Sequence, residues 1–124
     1  MPFRNGIMLA VAAGYAEANG FKSLCLASHF GDHAIYPDCR ANFSEAISKA
    51  IELGTYDGIK VEAPFARIGK DEIAKIGNEL GINYAETWSC YKGGKVHCGT
   101  CGTCMERKEA FKLAGLKDPT EYLA

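Results

Sequence analysis

Apolar residues recur along this chain in short helical stretches separated by two brief apolar runs. From Arg4 to Asn19 the spacing predicts a helix, with Ile7, Val11 and Tyr15 at four-residue intervals and Met8 and Ala12 beside them. Asn19-Gly20 ends it. Ser23-Leu24-Cys25-Leu26-Ala27 then reads as a strand buried on both faces. A loop from His29 to Arg40 follows, marked by Gly31-Asp32 and Pro37-Asp38. A second helix is predicted from Asn42 to Leu53, with Phe43, Ala46, Ile47, Ala50 and Ile51 as its inward stripe. Ile59-Lys60-Val61-Glu62-Ala63 is the second strand, ended by Pro64. A third helix carries Asp71 and Glu72 near its positive end and Ile73, Ile76 and Leu80 on its inward face. A last helix starts near Cys104 and runs through Ala110, Phe111 and Ala114 to Gly115.

Helices alternating with strands predict an α/β fold: a partial parallel, Rossmann-like sheet flanked by helices. Two strands alone make a poor sheet with both edges open, so the pattern implies that something else completes it. We place residues 1–86 in this α/β part and residues 87–124 in a cysteine-rich module with a closing helix. At 124 residues the chain suffices for one modest core. Its net charge of −1 argues against binding nucleic acid through bulk phosphate neutralisation. No apolar run is long enough to cross a bilayer, and Met1-Pro2-Phe3-Arg4-Asn5 has no secretion-signal character. Six cysteines without such a signal suggest a reducing cytoplasm, where clustered thiols more often mean metal than disulfides.

Cys90, Cys98, Cys101 and Cys104 follow the pattern C-x7-C-x2-C-x2-C. Four thiolates complete a tetrahedral site, leaving no position for water, so the expected metal is a structural Zn2+. An iron-sulfur cluster or a redox dithiol would use similar spacing. His97 could substitute for one thiolate, though four cysteines make that unnecessary. Trp88, beside the cluster, reads as a core anchor. The loop Gly31-Asp32-His33-Ala34-Ile35-Tyr36-Pro37-Asp38-Cys39-Arg40 follows a strand and precedes a helix, where parallel α/β folds bind ligands. Arg40 suits a carboxylate or phosphate. The competing reading has Asp38 capping the following helix and Arg40 paired with a surface acid. Cys39 lacks a visible base and reads as a small buried group. Arg4 opposes the helix dipole at its N-terminus, which suits an anionic ligand or simple solvation. Lys70 precedes the third helix, near enough to approach a phosphate held there.

Thr87-Trp88-Ser89-Cys90-Tyr91, Cys98-Gly99-Thr100-Cys101-Gly102-Thr103-Cys104 and Arg107-Lys108-Glu109-Ala110-Phe111 together resemble the C-terminal signature of the 7-cyano-7-deazaguanine synthase family. Tyr36-Pro37-Asp38-Cys39-Arg40, Pro2-Phe3-Arg4-Asn5 and Asp118-Pro119 match its other hallmarks. The resemblance implies an N-type ATP pyrophosphatase acting in queuosine and archaeosine biosynthesis for transfer RNA modification. It implies an AMP- and pyrophosphate-forming carbon-nitrogen ligase that turns 7-carboxy-7-deazaguanine into the nitrile with ATP, Mg2+ and ammonia. It further implies zinc on Cys90, Cys98, Cys101 and Cys104, and a substrate and nucleotide pocket that includes Arg4, Asn5, Asp38, Arg40 and Lys70. It singles out no catalytic residue. The family's Ser-Gly-Gly-x-Asp-Ser loop, whose backbone N-H groups cradle pyrophosphate, is not in the 124 residues. The expectation is therefore a C-terminal portion that is inactive alone, completed by a missing N-terminal half or by homodimerisation. The rival expectation is a non-catalytic zinc module binding a protein or RNA through Lys92, Lys95, Arg107 and Lys108.

Overall fold

The computed structural model describes residues 1–32 and 34–123. His33, within the candidate loop, lies outside the described residues. The elements are α1 (Arg4–Ala18), β1 (Ser23–Cys25), α2 (Ala41–Gly54), β2 (Lys60–Glu62), α3 (Lys70–Glu79) and α4 (Gly102–Ala114). Short 3-10 turns lie at Phe30–Asp32, Pro37–Cys39 and Tyr84–Glu86. The chain divides into two compact units, Met1–Ile68 and Gly69–Ala124.

In the first unit β1 and β2 pair in parallel, with Leu24 opposite Val61. The helices flank this small sheet, as the α/β pattern predicted. Leu9, Ala13, Ala16, Ile51 and Ile59 form the buried core, and Leu24, Leu26, Phe43, Ile47 and Val61 pack against it. α1 ends where Gly20 takes φ 74°: Phe21 N-H donates to the Ala16 carbonyl and Gly20 N-H to that of Glu17. This satisfies two carbonyls the helix leaves unpaired.

The face of α1 differs from the expected one. Gly6, Leu9, Ala13 and Ala16 turn inward. Ile7, Met8 and Tyr15 are exposed, and Val11 is 71 % exposed. Small residues let the helix approach the core closely, so the bulkier stripe faces out. The strands also differ: Ser23 and Cys25 are exposed and Leu24 only half-buried, so β1 is not covered on both faces. On α2, Ser44 and Ile51 are buried while Ala46 and Ala50 are exposed.

The two edges of the sheet are not equivalent. Lys60 N-H donates to the Lys22 carbonyl, and Leu26 N-H donates to the Glu62 carbonyl. Lys60 and Glu62 therefore face β1, and Val61 between them turns its N-H and C=O the other way. The Ser48 hydroxyl of α2 meets both: it accepts from Val61 N-H at 3.1 Å and donates to the Val61 carbonyl at 3.2 Å. One serine thus does for this edge what a neighbouring strand would do. Among the described residues no strand lies beyond β1.

In the second unit α3 packs against α4. Ala74 is buried, Ile73 and Ile76 are half-buried, and Leu80 is exposed rather than inward because it caps the helix end. Tyr84 donates from its hydroxyl to the Ala74 carbonyl at 2.9 Å and meets the Phe111 ring edge-on at 4.9 Å. α4 begins at Gly102 and ends at Gly115 with φ 70°. The C-terminal tail returns to the cysteine segment, where Leu123 N-H donates to the His97 carbonyl at 2.9 Å.

Candidate functional site

The four cysteines converge. Their Sγ atoms all lie within 4.8 Å of one another, with Cys98 and Cys104 4.0 Å apart. Metal–sulfur arms of 2.3 Å in a tetrahedron would put sulfurs ~3.8 Å apart, so the set fits such a metal. Backbone N-H groups point at the sulfurs: Cys98 N-H to Cys90 Sγ at 3.4 Å, and Thr100 and Cys101 N-H to Cys98 Sγ at 3.4 and 3.2 Å. The Thr100 N-H, chief among these donors, lowers the Cys98 thiol to about 7. The Thr103 hydroxyl leads the groups that lower Cys101 to about 5. Burial pushes the Cys104 thiol up to about 12. A divalent cation would displace that proton, since thiolates, not thiols, are ligands. With four sulfurs the centre is closed; it can hold backbone and offers no coordination position to substrate.

Neighbouring residues buttress this centre. His97 is 5 % exposed and stands outside the sulfur set; its Nε2 accepts from Ser89 N-H at 3.0 Å. Trp88 stacks on His97 with ring centres 4.2 Å apart, yet it is 51 % exposed and so is not the expected core anchor. Arg107, which reads as a surface cation, is only 8 % exposed. Its Nε donates to Thr120 Oγ1 at 2.7 Å, Nη1 to Ser89 Oγ at 3.1 Å and Nη2 to the Tyr84 carbonyl at 2.9 Å. Asp118 lies 3.6 Å from Arg107 Nε. Burial opposes ionisation of Asp118, but hydrogen bonds from Thr120 and Tyr122 and the charge of Arg107 outweigh it, holding the carboxyl below its ordinary value. Lys108 donates to the Gly99 carbonyl at 3.0 Å. Sequence reasoning missed Arg107 as a clamp. The only available signal was its position, three residues after Cys104 and so on the same side of α4.

The first unit brings part of the second candidate set together. Asp38 Oδ2 accepts from Asn5 N-H at 2.9 Å, and the Asn5 amide donates to the Asp38 carbonyl at 3.0 Å and to Cys39 Sγ at 3.3 Å. Asp38 thus caps α1, to which it is remote in sequence, rather than the helix that follows it. A carboxylate there also complements the positive helix end. Cys39 is buried; burial, reinforced by Asp32 and Asp38, raises its thiol pKa, which disfavours a nucleophile. Arg4 is exposed in the first turn of α1. Arg40 precedes α2, where its carbonyl accepts from Ser44 N-H at 3.0 Å. Lys70 lies in the second unit, ion-paired with Glu106. His29, at the end of the segment after β1, bonds Asp32 through Nε2 at 3.0 Å and accepts from Gly31 N-H through Nδ1 at 3.1 Å. No helix among the described residues is long and apolar enough to cross a membrane.

The family model for queuosine biosynthesis protein QueC matches residues 1–115. A 7-cyano-7-deazaguanine synthase of Porphyromonas gingivalis (strain ATCC 33277) is 63 % identical over 122 residues, which cover 98 % of this chain and 56 % of that protein. The corresponding proteins of Caldicellulosiruptor bescii and Rhizobium etli are 52 % and 51 % identical, each over 98 % of this chain and over 55 % and 52 % of their own lengths. The chain thus spans about half the length of the curated relatives it matches.

Proposed function

This chain belongs to the QueC family of queuosine biosynthesis proteins, and we propose that it is the C-terminal portion of a 7-cyano-7-deazaguanine synthase. The observation that carries this is the match over nearly the whole chain to about half of each relative. The fold supports the incompleteness. Ser48 closes the β2 edge, no strand among the described residues covers the outer edge of β1, and α1 presents an apolar stripe outward. The missing part adds its strands at β1 and supplies the Ser-Gly-Gly-x-Asp-Ser cradle for pyrophosphate.

The reaction follows from the difficulty of the substrate. A carboxylate is a poor electrophile. Its attack on the α-phosphate of ATP releases pyrophosphate and leaves an acyl adenylate. Ammonia then displaces AMP to give the amide. The amide oxygen attacks the α-phosphate of a second ATP, releasing a second pyrophosphate, and the adenylated imidate loses its N-H proton and AMP to leave the nitrile. Arg4, Asn5, Asp38, Arg40 and Lys70 contribute to the substrate and nucleotide pocket of the complete enzyme, in the cytoplasm and with Mg2+ on the nucleotide. Cys90, Cys98, Cys101 and Cys104 hold a structural zinc; as a closed set it takes no part in the chemistry. The zinc fixes the segment from Trp88 to Phe111. A module that binds RNA through Lys92, Lys95, Arg107 and Lys108 is less well supported, since Arg107 is buried and Lys108 engages the Gly99 carbonyl.

The test is genetic. A strain lacking its own synthase should regain queuosine in its transfer RNA when given this chain joined to the N-terminal segment of the Porphyromonas gingivalis relative. The chain alone should not restore it. Failure of the joined protein, though folded and zinc-loaded, would overturn the assignment, and rescue by the chain alone would overturn its incompleteness. Elemental analysis should find one zinc per chain; iron in its place would refute the metal assignment.

A further inference from the structure

The start of α1 and the Tyr36–Arg40 segment enclose a cavity of about 590 Å³, walled by Pro2, Phe3, Tyr36, Pro37, Asp38 and Phe43. That size suits a small ligand. Its walls are mostly apolar and carry three aromatic rings. Phe3 and Phe43 meet edge to face, with centres 5.7 Å apart and planes at 84°. Phe3 reaches this position through a left-handed backbone, φ 55°, and its ring lies against Gly6, where a methyl group would stand 2.3 Å from a ring carbon. Gly6 is therefore part of the wall's construction.

Asp38 carries the only charged side chain among the described lining residues, which also include the first residue, Met1. Its Oδ2 is taken by Asn5 N-H, which fixes the carboxylate in place. Its other oxygen has no hydrogen-bond partner among the described residues. With a carboxylate and no cationic side chain among the described lining residues, the cavity is a poor match for phosphate. It selects instead a flat ring system that donates neighbouring N-H groups from one edge. Guanine-like heterocycles do this, with a ring N-H beside an exocyclic amine; adenine presents a ring acceptor there.

We propose that this cavity takes the deazaguanine ring of the substrate, held against Phe3, Tyr36 and Phe43 with its ring N-H and exocyclic amine on the Asp38 carboxylate. The proposal rests on the family reading for the heterocycle and adds where it binds and what reads it. The acid or nitrile end of the ligand then lies on the ring edge remote from Asp38.

The experiment is calorimetric titration of the zinc-loaded chain with 7-deazaguanine and with the analogue lacking the exocyclic amine. The analogue should bind about tenfold more weakly or worse. Tyr36→Leu and Phe43→Leu, which keep apolar bulk and lose the ring, should each weaken 7-deazaguanine about tenfold. Asp38→Asn keeps an acceptor for Asn5 N-H but offers a donor to the ligand, so it should abolish preference for the amine. Circular dichroism shows whether each variant is folded. Absence of binding to the wild-type chain, or undiminished binding by the folded Tyr36→Leu and Phe43→Leu variants, overturns the proposal. Nitrile formation by the complete protein judges the family reading separately: wild-type activity with unchanged KM in Tyr36→Leu and Phe43→Leu discards the location alone.

Discussion

Replacing Arg107 by alanine should remove the clamp that aligns the metal-binding segment. Arg107 connects α4 to Tyr84, to Ser89 beside the first ligand Cys90, and to Thr120 in the tail. Truncation leaves Asp118 without this cation and removes one donor from the Tyr84 carbonyl, which Thr87 still serves. Breaking a buried charged pair in this way costs about 3–5 kcal/mol. Three hydrogen bonds from a cation, at ~1.5–3 kcal/mol each, would suggest more, but water entering the space repairs part of the loss. At ~0.05–0.15 kcal/mol per residue, a unit the size of Gly69–Ala124 has only about 3–8 kcal/mol to lose. Metal-free Arg107→Ala should therefore be largely unfolded in this unit, and the zinc-loaded variant should unfold at lower urea. Trp88 is the sole tryptophan and lies in the same unit, so its fluorescence reports the transition directly. Asp118→Ala in the Arg107→Ala background should cost at least 1 kcal/mol less than in the wild type (an order-of-magnitude estimate). A shift below ~1 kcal/mol for Arg107→Ala, or strictly additive costs, would refute the clamp.

Three further outcomes follow from the geometry. Ser48→Ala strips the Val61 N-H and C=O of their partner and should destabilise Met1–Ile68 by about 1–3 kcal/mol in thermal melts, whereas Ser48→Thr should recover much of this; a neutral Ser48→Ala would mean water serves the edge as well. Gly77→Ala would gain ~1 kcal/mol of helix propensity, yet its methyl would stand 2.0 Å from the Tyr84 hydroxyl, so net destabilisation of about 1–3 kcal/mol is expected from urea melts and a stabilised variant would contradict it. Asp118 has a folded-state pKa below its ordinary 3.8, so its stabilisation is complete above that value and lost as pH falls through the lowered one; Asp118→Asn should flatten the acid limb of the pH–stability curve, and an unchanged limb would argue against the pairing.

The helices and both strands were legible because short-range periodicity marks them, and the cysteine spacing announced a site whose sulfurs do converge. The inward face of α1 was not. Bulky residues at positions 7, 11 and 15 outweigh the glycine and alanines that make the close contact, and the pattern cannot say which stripe this part of the fold covers. Asp38 as cap of α1 was equally hidden, because its partner Asn5 is 33 positions away and no local rule links them. Arg107 read as a surface charge for the same reason: its acceptors come from an earlier turn and a later tail. The serine at position 48 flanks the apolar stripe of its helix, and no local pattern links it to Val61, 13 residues on, whose backbone it serves.

The account stands most directly on one assay. Purified chain joined to the N-terminal segment of the Porphyromonas gingivalis relative is incubated with 7-carboxy-7-deazaguanine, ATP, Mg2+ and ammonia, and the products are read by mass spectrometry. The account predicts the nitrile, with AMP and pyrophosphate released, and no nitrile from the 124-residue chain alone. A folded, zinc-loaded joined protein that leaves the carboxylate untouched would contradict it.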